Sequence, residues 1–228
     1  MVSAVIVAAG FGVRMKSATR KQYLPVAGRP LVVHTLQKFD DSPLIDHMCV
    51  VVPPEDLDDC RRLLLSGGHI EKPVTFVAGG RARQQSVYNG LRALDRKEGL
   101  VAIHDGARPL VEPSLITACI RAAETSGACT PGIPAEDTIK RVHGAARIAE
   151  TIDRTDLWLI QTPQVFRYAL IMEAHQRAIR DGYAGTDDAS LVERLGHPVS
   201  LVTGSKSNIK VTTAEDLALA AAWLHAAG

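Results

Sequence analysis

The sequence has little that would mark a nucleic-acid, membrane or metal-clustering protein. Aromatic residues are 4% of its 228 positions, too few for the stacking platforms that bind single strands. Charge of one sign is also lacking. With 26 Lys+Arg against 25 Asp+Glu the formal net charge is +1, which argues against nucleic acid as a partner. No apolar run approaches the roughly 18 residues of a membrane helix. The apolar start Ala4-Val5-Ile6-Val7-Ala8-Ala9 has no preceding positive segment and is short for a signal peptide, so a cytoplasmic location is expected. The cysteines Cys49, Cys60, Cys119 and Cys129 form no C-x-x-C pair and sit in or beside apolar stretches, which reads as buried thiols. The histidines show neither H-x-x-x-H nor H-E-x-x-H spacing, so a dedicated zinc site is not expected.

What is present is an ordinary globular composition, 46% apolar and 22% charged. Continuous apolar runs at 3–9, 48–52, 74–78 and 100–103 have the pattern of strands buried on both faces. Between and after them lie helical patterns at 30–39, 54–65, 82–94 and 113–125. This alternation predicts an α/β fold, a doubly wound, mostly parallel sheet with helices on both faces, in a single domain over 1–228. After residue 126 the rhythm breaks. Residues 128–153 read as a hairpin with polar faces around a turn at His143-Gly144, too poor in apolar residues to stand alone and expected to project as a β-arm at about 137–153. Helices follow at 168–180, 187–195 and 214–226, with strands at 198–202 and near 208–211.

Charge is uneven locally. No acidic residue precedes Asp40, whereas Arg14, Lys16, Arg20, Lys21, Arg29 and Lys38 all do. The Gly-rich turn Ala8-Ala9-Gly10-Phe11-Gly12-Val13-Arg14-Met15 follows the first strand, where open α/β sheets bind anions on backbone amides. Met15 breaks a dinucleotide G-x-G-x-x-G pattern, and no P-loop occurs. The turn with its following cations suits a triphosphate; the alternative is a tight turn with solvated charges. Asp105, in His104-Asp105-Gly106-Ala107-Arg108-Pro109 after the fourth strand, is either a carboxylate for Mg²⁺ shared with phosphates or the partner of Arg108. In Gly79-Gly80-Arg81-Ala82-Arg83-Gln84-Gln85-Ser86 the glycines and Ser86 read as a base pocket or as a plain strand-to-helix turn. Thr186 or Asp187 is expected to cap the helix near 188. Lys210, in Asn208-Ile209-Lys210-Val211-Thr212, faces either the cleft or solvent.

Taken in order, the segments at 8–15, Lys21-Gln22-Tyr23, 104–109, Asp137-Thr138, Asp153-Arg154, Thr162-Pro163-Gln164, Thr186-Asp187-Asp188-Ala189 and 208–212 resemble the 2-C-methyl-D-erythritol 4-phosphate cytidylyltransferases of the non-mevalonate isoprenoid route. The resemblance runs from residue 3 to about 220. It implies a nucleotidyltransferase variant of the doubly wound sheet, with a β-arm that interlocks two subunits. It also implies a reaction joining CTP and 2-C-methyl-D-erythritol 4-phosphate, with release of pyrophosphate and dependence on Mg²⁺.

By position, the resemblance implies that Arg14 and Lys21 hold the triphosphate and stabilise the transition state, and that Lys210 contacts the α-phosphate. Ala8, Ala9, Gly10 and Gly12 would surround CTP, Gly80 and Ser86 would face cytosine, and Asp105 would sit by Mg²⁺ and the ribose. Arg108, Thr138, Arg154 and Thr162 would line the erythritol phosphate site, Thr138 and Arg154 from the partner's arm. Two positions depart from the family pattern. Arg81 stands where relatives often have an acidic residue, and Gly106 where Ala is common, a change expected to be tolerated. At 228 residues, no room is expected for the cyclase domain that some relatives carry. The competing readings are a cytidylyltransferase for another polyol phosphate such as ribitol 5-phosphate, and a non-catalytic nucleotide-binding regulator.

Overall fold

The structure, a computed structural model, describes residues 1–10, 20–65, 70–95, 97–144 and 146–226. At its centre is β1 (Val2–Val7), whose apolar run is buried because it has a strand on either side. It pairs in parallel with β4 (His47–Val52) and with β6 (Leu100–Asp105), and β4 pairs in parallel with β5 (Val74–Ala78). The two short strands β2 (Pro25–Val26) and β3 (Arg29–Pro30) form a separate ribbon before α1 (Leu31–Asp40). Three more helices complete the first half: α2 (Leu57–Leu65) after a 3₁₀ turn at Pro54–Asp56, α3 (Arg83–Ala93) and α4 (Pro113–Ser126).

Successive residues of a strand point to opposite faces, and the core divides accordingly. Ala4, Ile6, Met48 and Val50 pack with Phe39 of α1, Cys60 of α2 and Ile116 and Ile120 of α4. Val5, Cys49 and Val51 pack on the other side with Val87 and Leu91 of α3. That side is completed by α5 (Tyr168–Arg180) and α6 (Asp188–Arg194), through Ile171, Ala174 and Val192. Each fully buried aliphatic side chain contributes about 1.5–3 kcal/mol. The four cysteines are buried free thiols in these layers.

The second half departs from the expected rhythm. Residues 128–134 are not the start of the arm but β7 (Ala128–Pro134), a strand of the main sheet. Two short strands, β10 (Trp158–Ile160) and β11 (Gln164–Arg167), were not expected. β11 runs antiparallel to both β6 and β7, β10 runs antiparallel to β7, and β12 (Ser200–Thr203) runs parallel to it. Among the described residues the sheet has eight strands, ordered β10-β7-β11-β6-β1-β4-β5 with β12 also on β7. The arm itself is a hairpin of β8 (Ile139–His143) and β9 (Arg147–Ile152), a separate two-stranded sheet with Val142 and Ile148 exposed.

The strand expected near 208–211 is not formed. That segment is fixed instead by side chains and one backbone bond, Val211 N–H to Ala107 C=O at 2.8 Å. Behind it, α7 (Ala214–Ala226) packs Ala220 against Val26, Leu31, Ala107 and Val211. No helix among the described residues is long and apolar enough to cross a membrane.

Candidate active site

β1, β4, β5 and β6 are parallel, so their carboxyl ends share one edge of the sheet. The chain leaves β1 for β4 on one side and returns from β5 to β6 on the other, which makes the β1/β6 boundary a topological switch point. A cleft of about 430 Å³ opens there. Ala8, Ala9 and Gly10 line it from the end of β1, and Gly80 and Ser86 from the turn after β5 and the first turns of α3. Asp105 and Gly106 come from the end of β6, Lys21 from the start of a 3₁₀ turn at Lys21–Tyr23, and Lys210 from the loop before α7. The structure therefore gathers eight of the expected residues in one place. Gly12 and Arg14 lie outside the described residues.

The turn after β5 is held by hydrogen bonds to its own helix. Gly80 N–H donates to Ser86 Oγ (3.0 Å), and the Ser86 hydroxyl donates to Ala82 C=O (3.1 Å). A β-carbon on Gly79 would collide with the Ala9 side chain and lie 3.1 Å from Ser86 Oγ, so glycine lets this turn close onto β1. Arg81 is exposed, and its backbone N–H donates to Gln85 Oε1 (3.0 Å). A methyl on Gly106 would lie 3.1 Å from Ala8 Cβ and 3.2 Å from Val7 C=O, so in this chain glycine relieves a tight contact.

Asp105 is the electrostatic centre. Lys210 Nζ lies 2.8 Å from its Oδ2, Arg83 Nε donates to Oδ1 at 3.0 Å, and Arg108 Nε is 3.7 Å from Oδ2. The alternative partner Arg108 is thus the most distant of three cations. Burial alone would raise the Asp105 pKa. The charges of Arg83 and Lys210, with the Lys210 hydrogen bond, outweigh it and hold the carboxyl well below the usual range. Lys21 Nζ donates to Val211 C=O (2.9 Å), which brings it beside the segment that carries Lys210.

Thr162 stands under this centre. Its Oγ accepts from Asp105 N–H (3.1 Å) and lies 3.0 Å from His104 Nδ1. His104 Nε2 faces Arg108 C=O at 3.2 Å, so Nε2 carries the proton and Nδ1 accepts from the threonine. Burial pushes the His104 pKa down to about 3 and keeps the ring neutral. Arg108 Nη1 donates to Asn208 C=O (2.6 Å), and Asn208 Nδ2 donates to Thr162 C=O (2.9 Å). Thr162 and Arg108 contact Asp105 but are not among the residues that line the cleft. Thr138 and Arg154 lie at the base of the exposed arm and are themselves exposed.

Sequence reasoning missed Arg83. It is the first residue of α3, and it bridges Asp105 to Asp188, its Nη1 donating to Asp188 Oδ2 at 2.7 Å. Asp187 caps α6 in a reciprocal pair with Ser190, as expected for one of the two candidates. Asp188, the next residue, turns inward, with its Oδ1 3.2 Å from His175 Nε2. The available signal was an acidic residue beside a cap at the start of an apolar helix, which needs a cation when buried.

A doubly wound sheet that opens a polar cleft at its switch point, with a carboxylate at one strand end and lysines from two separate segments, defines a protein of the nucleotidyltransferase type. Residues 2–226 match the family described as 2-C-methyl-D-erythritol 4-phosphate cytidylyltransferase (IspD), and the chain belongs to that family of enzymes. It is 48% identical over 223 residues to the enzyme of that name from Syntrophus aciditrophicus, covering 98% of this chain and 95% of the relative. It is also 48% identical over 228 residues to that of Syntrophotalea carbinolica, covering 100% and 97%. The crystal structure of 4-diphosphocytidyl-2C-methyl-D-erythritol synthase from Anaerococcus prevotii superposes with a TM-score of 0.86 at 32% identity, covering 98% and 96%. The 2-C-methyl-D-erythritol 4-phosphate cytidylyltransferase of Thermus thermophilus superposes with a TM-score of 0.79 at 36% identity, covering 99% and 100%.

Proposed function

We propose that this cleft joins CTP and 2-C-methyl-D-erythritol 4-phosphate into 4-diphosphocytidyl-2-C-methyl-D-erythritol and pyrophosphate, a step of isoprenoid precursor biosynthesis. The observation that carries the reading is the convergence of Lys21, Asp105 and Lys210 on one cleft, in a chain that matches the family along nearly its whole length. The alternatives, another polyol phosphate as acceptor or a binding-only regulator, have no comparable support.

The nucleophile is a phosphate oxygen of the acceptor. Its second pKa is near 6, so at neutral pH most of it is already dianionic and no side chain has to remove a proton. It attacks the α-phosphorus of CTP. The new P–O bond forms as the bond to the β-phosphate bridging oxygen breaks, and that electron pair leaves with pyrophosphate. The barrier is bringing anions together and stabilising charge on the transferring phosphorus. Lys210 serves the α-phosphate, Lys21 and Arg14 the triphosphate. Ala8, Ala9 and Gly10 line the nucleotide's floor, and the Gly80–Ser86 turn takes the base. Arg108 and Thr162, with Thr138 and Arg154 of a second subunit, serve the erythritol phosphate in a cytoplasmic homodimer.

Mg²⁺ fits as a metal shared with substrate rather than one held by protein alone. No group of three or more His, Cys, Asp or Glu side chains suited to a metal occurs among the described residues, while Asp105 offers one ionised carboxylate. Mg²⁺ characteristically takes one or two carboxylates, with phosphate oxygens and water. When bound, it neutralises phosphate charge. The test is pyrophosphate release by the purified protein. Release that requires CTP, acceptor and Mg²⁺ together is expected; none under those conditions overturns the reading.

A further inference from the structure

Asp105 is gripped from two sides by unlike groups. On Oδ2 it meets Lys210, a flexible side chain that is 39% exposed. On Oδ1 it meets Arg83, whose planar guanidinium is simultaneously fixed by Asp188. Asp188 is 1% exposed, and the elements around it are pinned. Gln164 Oε1 accepts from the backbone N–H of Asp188 (3.1 Å) and Ala189 (3.0 Å), and Gln164 Nε2 donates to Asp187 Oδ2 (2.7 Å). A row of alternating charges, Asp188, Arg83, Asp105 and Lys210, thus runs from an immobilised helix start to the cleft.

We propose that Arg83 is a positioning residue for the transfer reaction: anchored by Asp188, it fixes the orientation of Asp105 and through it the Lys210 ammonium, and Asp188 acts on turnover only through Arg83. This rests on the cytidylyl-transfer reading of the cleft. A carboxylate held at one oxygen by a lysine can swing with it. A guanidinium on the other oxygen removes that freedom, and it does so in a plane that a lysine substitute cannot reproduce. Misplacing a reactive group by about 1 Å is enough to cost about a hundredfold in rate. Arg83 lines the cleft, and its Nε and Nη1 each donate to a protein carboxylate, which suits it to orienting Asp105.

The experiment uses the full chain and four variants: Arg83→Lys, Arg83→Gln, Asp188→Asn and the double variant Arg83→Gln with Asp188→Asn. Measured are kcat, KM for CTP, thermal unfolding, and the crystal structure of each unliganded variant. Arg83→Gln is expected to lower kcat about ten- to hundredfold while KM for CTP moves by less than about threefold, and Arg83→Lys to recover only part of the loss. Asp188→Asn is expected to lower kcat alone but to add nothing in the Arg83→Gln background.

The double variant separates positioning from stability, because it leaves no buried carboxylate at 188 without its cation. It should unfold at a higher temperature than Arg83→Gln yet turn over no faster. Recovery of kcat together with stability overturns the proposal, as does a raised KM for CTP at unchanged kcat, or additive losses. The crystal structures decide independently of turnover. Asp105 should leave its native orientation in Arg83→Gln, and an unmoved Asp105 overturns the proposal. If the native chain itself releases no pyrophosphate, the functional reading fails, while that comparison still decides whether Arg83 orients Asp105.

Discussion

The Lys210 ammonium stands 2.8 Å from Oδ2 of Asp105, and the carbonyl of the next residue, Val211, accepts from Lys21. Two lysines far apart in sequence are thereby brought together beside one strand end. The segment that carries Lys210 is not a strand, but it is fixed: Val211 bonds Ala107, Asn208 bonds Thr162, and Arg108 bonds Asn208. Positioned cations of this kind act where charge builds up during phosphoryl transfer.

Replacing Lys21 or Lys210 with Ala is therefore expected to lower kcat more than it weakens CTP binding. Loss of one such donor typically costs about 10²–10³ in rate, or roughly 3–4 kcal/mol. Steady-state kinetics beside calorimetric CTP binding checks this. A normal kcat with only a raised KM for CTP contradicts it.

Thr162→Val should act on stability as well as rate. The variant keeps the shape but leaves the buried Asp105 N–H and His104 Nδ1 without their shared partner. An unsatisfied buried polar group costs about 1–3 kcal/mol. At this chain length each kcal/mol lowers Tm by about 2–4 °C, which differential scanning calorimetry resolves. An unchanged Tm contradicts the bridging role.

His104 gives a pH dependence with a definite sign. Its pKa falls from 6.5 unfolded to about 3 folded, so below pH 6.5 the unfolded chain takes up a proton that the native one refuses. The associated stability is present above pH 6.5 and is lost as pH falls toward 3. Between pH 6 and 4.5, in chelator, His104→Gln should flatten the slope of unfolding free energy by up to about 1.4 kcal/mol per pH unit. Parallel slopes for variant and native protein contradict this.

Much of this arrangement is legible in the sequence because strands buried on both faces leave unbroken apolar runs. β1, β4, β5 and β6 are legible that way, and α1 to α4 by the one-faced helical spacing between and after them. β10 and β11 were not, since three residues of Trp158-Leu159-Ile160 carry no period, and Gln164 puts a buried polar residue where a strand should be apolar. The segment at 208–211 alternates like a strand but is held by Asn208 and Val211 bonds to other loops. The cleft residues were legible as motifs at strand ends. Arg83 was not, because its partner Asp188 is 105 positions away and only the fold brings them together.

On the proposed reading, the hairpin of β8 and β9 shares sites between two subunits. Val142 and Ile148 are exposed on a hairpin that, among the described residues, pairs only with itself, and Thr138 and Arg154 flank it. Mixing Lys21→Ala with Arg154→Ala subunits should restore activity, since a mixed two-fold dimer has one site with both lesions and one with neither. Equal exchange makes about half the dimers mixed and returns about a quarter of native activity. Confirmed exchange without recovery shows that Arg154 serves its own subunit.

The cleft at Asp105 is proposed to transfer a cytidylyl group to one particular polyol phosphate. The direct measurement is kcat/KM for pyrophosphate release with CTP and Mg²⁺, using 2-C-methyl-D-erythritol 4-phosphate and ribitol 5-phosphate side by side. A strong preference for the methylerythritol phosphate, with 4-diphosphocytidyl-2-C-methyl-D-erythritol as the product, is predicted. Equal values for the two acceptors, or a preference for ribitol 5-phosphate, would contradict it.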